Sequence, residues 1–221
     1  MFGLTKKEEK ILRKLNNPKK IQDFINKIPA NFDYKKDTCM SPRMVLKKWK
    51  CHCIEGALLA ALALRIQGKK PLIVDLTATK EDDDHIITVF KENGFWGAIT
   101  KTNHGVLRYR EPVYKNIREL VMSFFHEYFD NKGKKTLRSY SLPVDLSRFD
   151  KKVWMTAEED VWEIPDYLVK VKHYNILNKK QIRNLRKADK IEIQIGKVTE
   201  WKKNAQKSRK FLAHQKSEDF C

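Results

Sequence analysis

Cysteine is scarce in this chain, with four in 221 residues. They are scattered, so a disulfide framework is not expected and a reducing, cytoplasmic setting is. Long apolar runs are also missing. The longest, residues 57–64, is far short of the roughly 20 residues that cross a bilayer, so no membrane span is expected. The opening "MFGLTKKEEK" is charged and lacks the apolar stretch of a secretory leader. There is no internal repeat and no low-complexity tract. What is present is 41% hydrophobic residues, enough for a packed core in one sizeable domain with an extension.

Acidic charge is the other deficit. Lys and Arg number 46 against 28 Asp and Glu, a formal net charge of +18. Such a chain attracts polyanions such as nucleic acid, and the same composition also serves solubility. The imbalance is steepest at residues 178–221, with thirteen Lys and Arg against five Asp and Glu.

Hydrophobic spacing gives the elements. Residues 5–16 predict a helix capped by Thr5. Pro18 opens a second, with Ile21, Phe24, Ile25 and Ile28 on one stripe. Ser41 and Pro42 have the cap and first-turn chemistry of a short third helix. A fourth is expected from about Cys53 to Gln67, ending at Gly68. The period then changes. "PLIVDLTA", "HIITVF" and "GFWGAITKT" read as strands, the last two joined by an Asn93-Gly94 hairpin turn and the first two by an acidic "KEDDD" loop. The order is α+β rather than alternating βαβ. "EPVYKNIRELVMSFFHEYF" predicts a further helix, residues 130–150 a long surface connection, and residues 156–170 a helix capped by Thr156 and Glu159. In the tail, Val198, Trp201 and Ala205 fit one helix face, while "KIEIQI" is ambiguous. The expected organisation is a domain over residues 1–177 and a lysine-rich, mainly helical extension over 178–221.

The chemistry gathers at "KKWKCHCIEGALLAALALR". Cys53 opens an apolar helix, and a helix N-terminus favours thiolate over thiol. His85 opens a strand about thirty residues on and supplies an imidazole to take the proton. The Cys53 backbone N–H would hold an oxyanion. The bland alternative is an inert core cysteine, because cysteine is among the most buried residue types. A metal site from Cys51, His52, Cys53 and a distant Cys39 or His85 is a further alternative, but its spacing fits no standard zinc pattern.

At these residues the chain resembles the transglutaminase-like superfamily of papain-related folds. The carriers are "CIEGALLAALAL", with Cys53, Glu55 and Ala57, and "HIITVFKENGFWGAITKT", with His85 and Trp96. The likeness covers roughly residues 20–105, and the stretch from Trp96 to Tyr114 is similar to an intracellular subgroup. The resemblance implies a Cys-bearing buried helix packed on a small antiparallel sheet, with extra N- and C-terminal helices. It implies a cysteine hydrolase or acyl transferase acting on a peptide or amide, with Cys53 as nucleophile and His85 as base and no cofactor required. The family's aspartate, four residues after the tryptophan, is Thr100 here. A threonine accepts a hydrogen bond from an imidazole but carries no charge to stabilise an imidazolium. Asn103 is the other candidate to orient the ring. Trp49, Trp96, Arg108 and Arg110 are candidates for substrate binding, the arginines through a carboxylate or phosphate, with core packing and ion pairing as their alternatives. His104 is placed to line the cleft, and His126, among aromatics, is expected to be structural. The second functional reading is a catalytically inactive version of the fold that binds nucleic acid or ribonucleoprotein through its basic surface.

Overall fold

A computed structural model describes residues 1–32 and 37–199. Four helices come first: α1 (Lys6–Arg13), α2 (Pro18–Asn26), α3 (Pro42–Lys48) and α4 (Cys53–Ile66). Their starts follow the expected chemistry. Thr5 caps α1 in a capping box with Glu8, Asn17 caps α2 ahead of Pro18, and Ser41 caps α3 ahead of Pro42. Helix α4 is apolar on all sides. Every residue from Ile54 to Leu64 is buried, so it can exist only where other elements sheathe it. Each of Leu58, Leu59, Leu62 and Leu64, fully buried, contributes about 1.5–3 kcal/mol of transfer free energy.

Strands β1 (Leu72–Thr77), β2 (His85–Glu92), β3 (Phe95–Ile99) and β4 (Arg110–Tyr114) follow, then α5 (Ile117–Phe125), β5 (Ser139–Ser141) and β6 (Val144–Asp145). A 3-10 helix (Leu146–Lys152), α6 (Glu163–Leu168), β7 (His173–Asn175), α7 (Lys179–Arg183) and α8 (Lys190–Gly196) complete the described chain. The strands make one antiparallel sheet in the order β4-β3-β2-β1-β5-β7, with β6 also on β1. Asn93 and Gly94 both take positive φ in the β2–β3 turn, as a two-residue hairpin requires. The architecture is α+β.

Register assigns the two faces. Leu72 pairs with Val89 and Thr88 with Ile99. Ile73, Ile86, Phe90 and Ile99 join the core that holds α4, while Val74, Leu76, Ile87, Val89 and Ala98 pack with α5. Thr88 donates its hydroxyl to the Ala57 carbonyl at 2.7 Å, which locks β2 against the first turns of α4.

Three expectations change. "EPVY" lies in β4, an edge strand paired with β3 through Trp96–Tyr114. Pro112 is tolerated there for want of a ladder donor, and the helix waits for its cap at Asn116. Residues 130–150 include β5, β6 and the 3-10 helix, because short strands that pair with β1 leave little local signal. The helix expected over 156–170 is only Glu163–Leu168. Pro165 has no N–H to give to a preceding turn, so it fits only near a helix start. Instead, Asp160 accepts from the Cys39 N–H and Val161 donates to the Cys39 carbonyl. "KIEIQI" falls within α8, whereas Trp201 and Ala205 lie outside the described residues. The described part of 178–221 packs back on the body: Ala188 donates to the Gly133 carbonyl and Thr199 bridges to His104. No described helix is long and apolar enough to cross a membrane.

Gly56 marks the tightest contact around α4. A Cβ there would lie 2.4 Å from the Lys101 Cβ, an atom anchored to backbone. Gly56→Ala is expected to destabilise the protein by about 1–3 kcal/mol or more. Urea unfolding checks this, and an unchanged midpoint contradicts the packing described.

Candidate active site

Cys53 is the first residue of α4, so its backbone N–H has no partner within the helix. Its side chain is partly exposed, at a cleft of about 430 Å³. The start of α4, the loop before β2, the segment after β3 and the segment after α5 bound this cleft. His85, the first residue of β2, lines it and is only 7% exposed. The sheet and α4 therefore bring together the two residues that the sequence pairs.

The structure adds a residue that sequence reasoning considered only as a metal ligand. His52 also lines the cleft. Its Nε2 lies 2.6 Å from the Thr38 carbonyl. A carbonyl only accepts, so Nε2 carries the proton, and Nδ1 is left to serve the neighbouring sulfur. Glu55 lies below this pair, fully buried. Its carboxylate accepts from the His52 N–H at 3.0 Å, the Met40 N–H at 3.0 Å and the Thr38 hydroxyl at 2.7 Å. Oε1 also lies 3.5 Å from the His52 Nε2.

The electrostatics favour a thiolate. Burial pushes the Cys53 thiol up, but hydrogen bonds from His52 and His85, with their charges, outweigh it and bring the pKa to about 5. Burial works against a charged His52, yet the bond to Cys53 and the Glu55 carboxylate raise its pKa to about 9. The proton thus rests on imidazole and the sulfur is charged near neutrality. Cys39 is the contrast: buried beside Glu55 and Asp160, its thiol is pushed far up. Cys51 is fully buried, its backbone bonded to Pro29 and Asn31.

The ring-orienting candidates make other contacts or none to the imidazole. The Thr100 hydroxyl donates to the Leu107 carbonyl at 2.8 Å, and its N–H goes to Gln22. β3 has ended at Ile99, and Asn103 lines the cleft. Neither is bonded to His85. The His85 Nε2 is buried without a hydrogen-bond partner. A second carboxylate–imidazole pair lies on the sheet, unnoticed in the sequence. Asp75 of β1 meets the His173 Nε2 at 3.0 Å, and the Cys53 charge adds to the burial that raises its carboxyl to about 6.

The four substrate-binding candidates, Trp49, Trp96, Arg108 and Arg110, lie outside the cleft lining. Trp49 closes α3 in a left-handed conformation and packs edge-on against Phe24. Trp96 lies along β3 under the Lys91 ammonium. Arg110 is held over the Phe124 ring and pairs with Glu127 at 2.7 Å, while Arg108 is exposed. Trp49, Trp96 and Arg110 are engaged in packing or ion pairing. His104 does line the cleft, its Nδ1 donating to Gly196. His126 is exposed and stacks edge-on with Phe125. Among the described residues no group of three or more His, Cys, Asp or Glu is placed to hold a metal ion.

No protein-family model matches the chain, and a search of curated proteins finds no match.

Cys53 should therefore alkylate with iodoacetamide at half-maximal rate near pH 5, against about 8.5 for an ordinary thiol. His52→Ala and His85→Ala each remove a hydrogen bond that lowers this value. Each should move the midpoint up by about one pH unit or more. Peptide mass spectrometry of the native protein across pH reads both shifts, and a Cys53 midpoint near 8.5 in the unmodified chain contradicts the geometry.

Proposed function

We propose that the protein performs thiol-dependent amide chemistry, as a peptide or amide hydrolase or an acyl transferase of the transglutaminase-like kind. The observation that carries this reading is a thiol at a helix N-terminus, hydrogen-bonded by two imidazoles, in a residue that lines a cleft. The Cys53 thiolate attacks the carbonyl carbon, and the carbonyl π electrons move onto oxygen. The Cys53 N–H is positioned to stabilise that oxyanion. An imidazolium gives its proton to the departing nitrogen as the C–N bond breaks, leaving a thioester and a free amine. His85 suits the proton carrier, and His52, held by Thr38 and Glu55, suits the charge that keeps the sulfur ionised. Water or a second amine then attacks the thioester, gives up a proton to imidazole, and releases the thiolate.

A second reading has its own support. Among the described residues six carboxylates line the cleft, which leaves the remainder of the chain more basic. A polyanion partner would dock on that remainder and not at the cleft, independently of Cys53.

The first reading predicts that a peptidyl acyloxymethyl ketone labels Cys53 in the native protein and spares the buried Cys39 and Cys51. His85→Ala should slow labelling by about 10²-fold or more. Hydroxylamine, added with a turned-over amide substrate, should divert product to the hydroxamate. Labelling that ignores His85, or that spreads to the buried thiols, counts against an acyl-transfer site.

A further inference from the structure

Among the described residues the cleft has the opposite charge to the molecule. In a chain of net charge +18, its described lining includes Glu81, Asp82, Asp83, Asp84, Glu127 and Asp130, with Lys101 the one lysine or arginine beside them. Lys101 is buried and gives its ammonium to the Ile28 carbonyl at 2.6 Å. Glu127 is compensated by Arg110, and Glu81 lies 3.8 Å from Lys134. Among the described residues Asp82, Asp83 and Asp84 make no ion pair. Their loop is nonetheless held in place. The Tyr128 hydroxyl donates to the Asp83 carbonyl at 2.6 Å, the Ala78 N–H to the Asp84 carboxylate at 2.7 Å, and the Asp82 N–H to the Thr79 carbonyl at 2.9 Å. These acids directly precede His85, whose Nε2 is buried, without a partner, in a residue that lines the same cleft. A run of carboxylates held at a cleft is a recognition surface for a ligand that carries positive charge.

We propose that the cleft selects peptide segments rich in lysine or arginine, with the positive side chains against Asp82–Asp84 and the reacting amide over Cys53. The proposal rests on the reading of Cys53 as nucleophile for what happens to the peptide, but the charge selection stands apart from it. Carboxylates focused in a cleft raise the local concentration of cations and repel anions, and the same field excludes nucleic acid from this face.

Two measurements on the full chain separate these claims. The first compares Cys53 modification by two methanethiosulfonates of similar size, trimethylammonium-ethyl and sulfonato-ethyl, at low salt. Each rate is normalised to that with 2-mercaptoethanol. The cationic reagent should win by about tenfold or more. The preference should shrink at about 0.5 M salt and approach unity in the isosteric double variant Asp83→Asn/Asp84→Asn. A preference near one, or for the anionic reagent, overturns the proposal. The second measures fluorescence anisotropy of a labelled tetralysine peptide and its tetraglutamate counterpart on Cys53→Ala protein. Lysine-peptide binding that weakens about fivefold or more in the added double variant supports the cleft. Binding indifferent to those aspartates, or binding of spermine without the peptide, overturns it. Lysine-peptide selection with a Cys53 that alkylates like an ordinary thiol keeps the charge selection and removes the nucleophile reading.

Discussion

The arrangement hinges on one buried carboxylate. Helix α4 is apolar on every side, so its N-terminus is held within the protein, where its first N–H groups cannot all be left to water. Glu55 sits in that first turn, fully buried, and accepts from three donors on two segments. It ties residues 38–40 to the start of the helix. The Thr38 carbonyl is thereby placed to take the His52 Nε2 proton, which turns the other ring nitrogen to the sulfur. Without Glu55, each buried donor left without a partner would cost about 1–3 kcal/mol, and the negative charge that helps keep His52 protonated would be lost.

The sheet is joined to this centre by the Thr88–Ala57 bond. Thr88 lies three residues after His85, and Ala57 four after Cys53, so one hydrogen bond sets the strand that carries the imidazole against the helix that carries the thiol. The threonine at position 100 weighs less in this setting. On the acyl-transfer reading, the charge that an aspartate would supply to the His85 ring is supplied to the sulfur's other neighbour by Glu55. The Thr100 hydroxyl stays with Leu107 as a structural bond.

What could be read from the sequence was local. Thr5, Asn93-Gly94 and the period of residues 53–66 each encode their element within a few positions. Cys53 and His85 were legible because a helix start and a strand start both expose their side chains toward one end of a layered fold. Strands β5, β6 and β7 were not legible, since two or three residues acquire strand character only from the β1 and β5 partners they meet. His52 was hidden by its neighbour: beside a cysteine it read as part of a metal pattern, and only the distant Thr38 carbonyl fixes its ring. Arg110 looked like a substrate clamp because its partner Glu127 lies 17 residues away, just past the C-terminal end of α5. The acidic cleft was only partly legible, because Glu127 and Asp130 join residues 81–84 only in space.

The acid lining also explains why a single imidazole would be a poor companion for this sulfur. A carboxylate about 8 Å from a thiolate opposes it by roughly 2 kcal/mol at an effective dielectric of about 20. Several such groups, added to burial, would keep an isolated thiol protonated. The hydrogen bonds and charges of His52 and His85 together outweigh burial and bring the thiol's pKa down. A cleft can therefore be lined by acids and still hold an ionised thiol, provided hydrogen-bonding imidazoles reach the sulfur. His52 and His85 both hydrogen-bond to the sulfur, and residues 82–84 belong to the loop that lines the cleft around it.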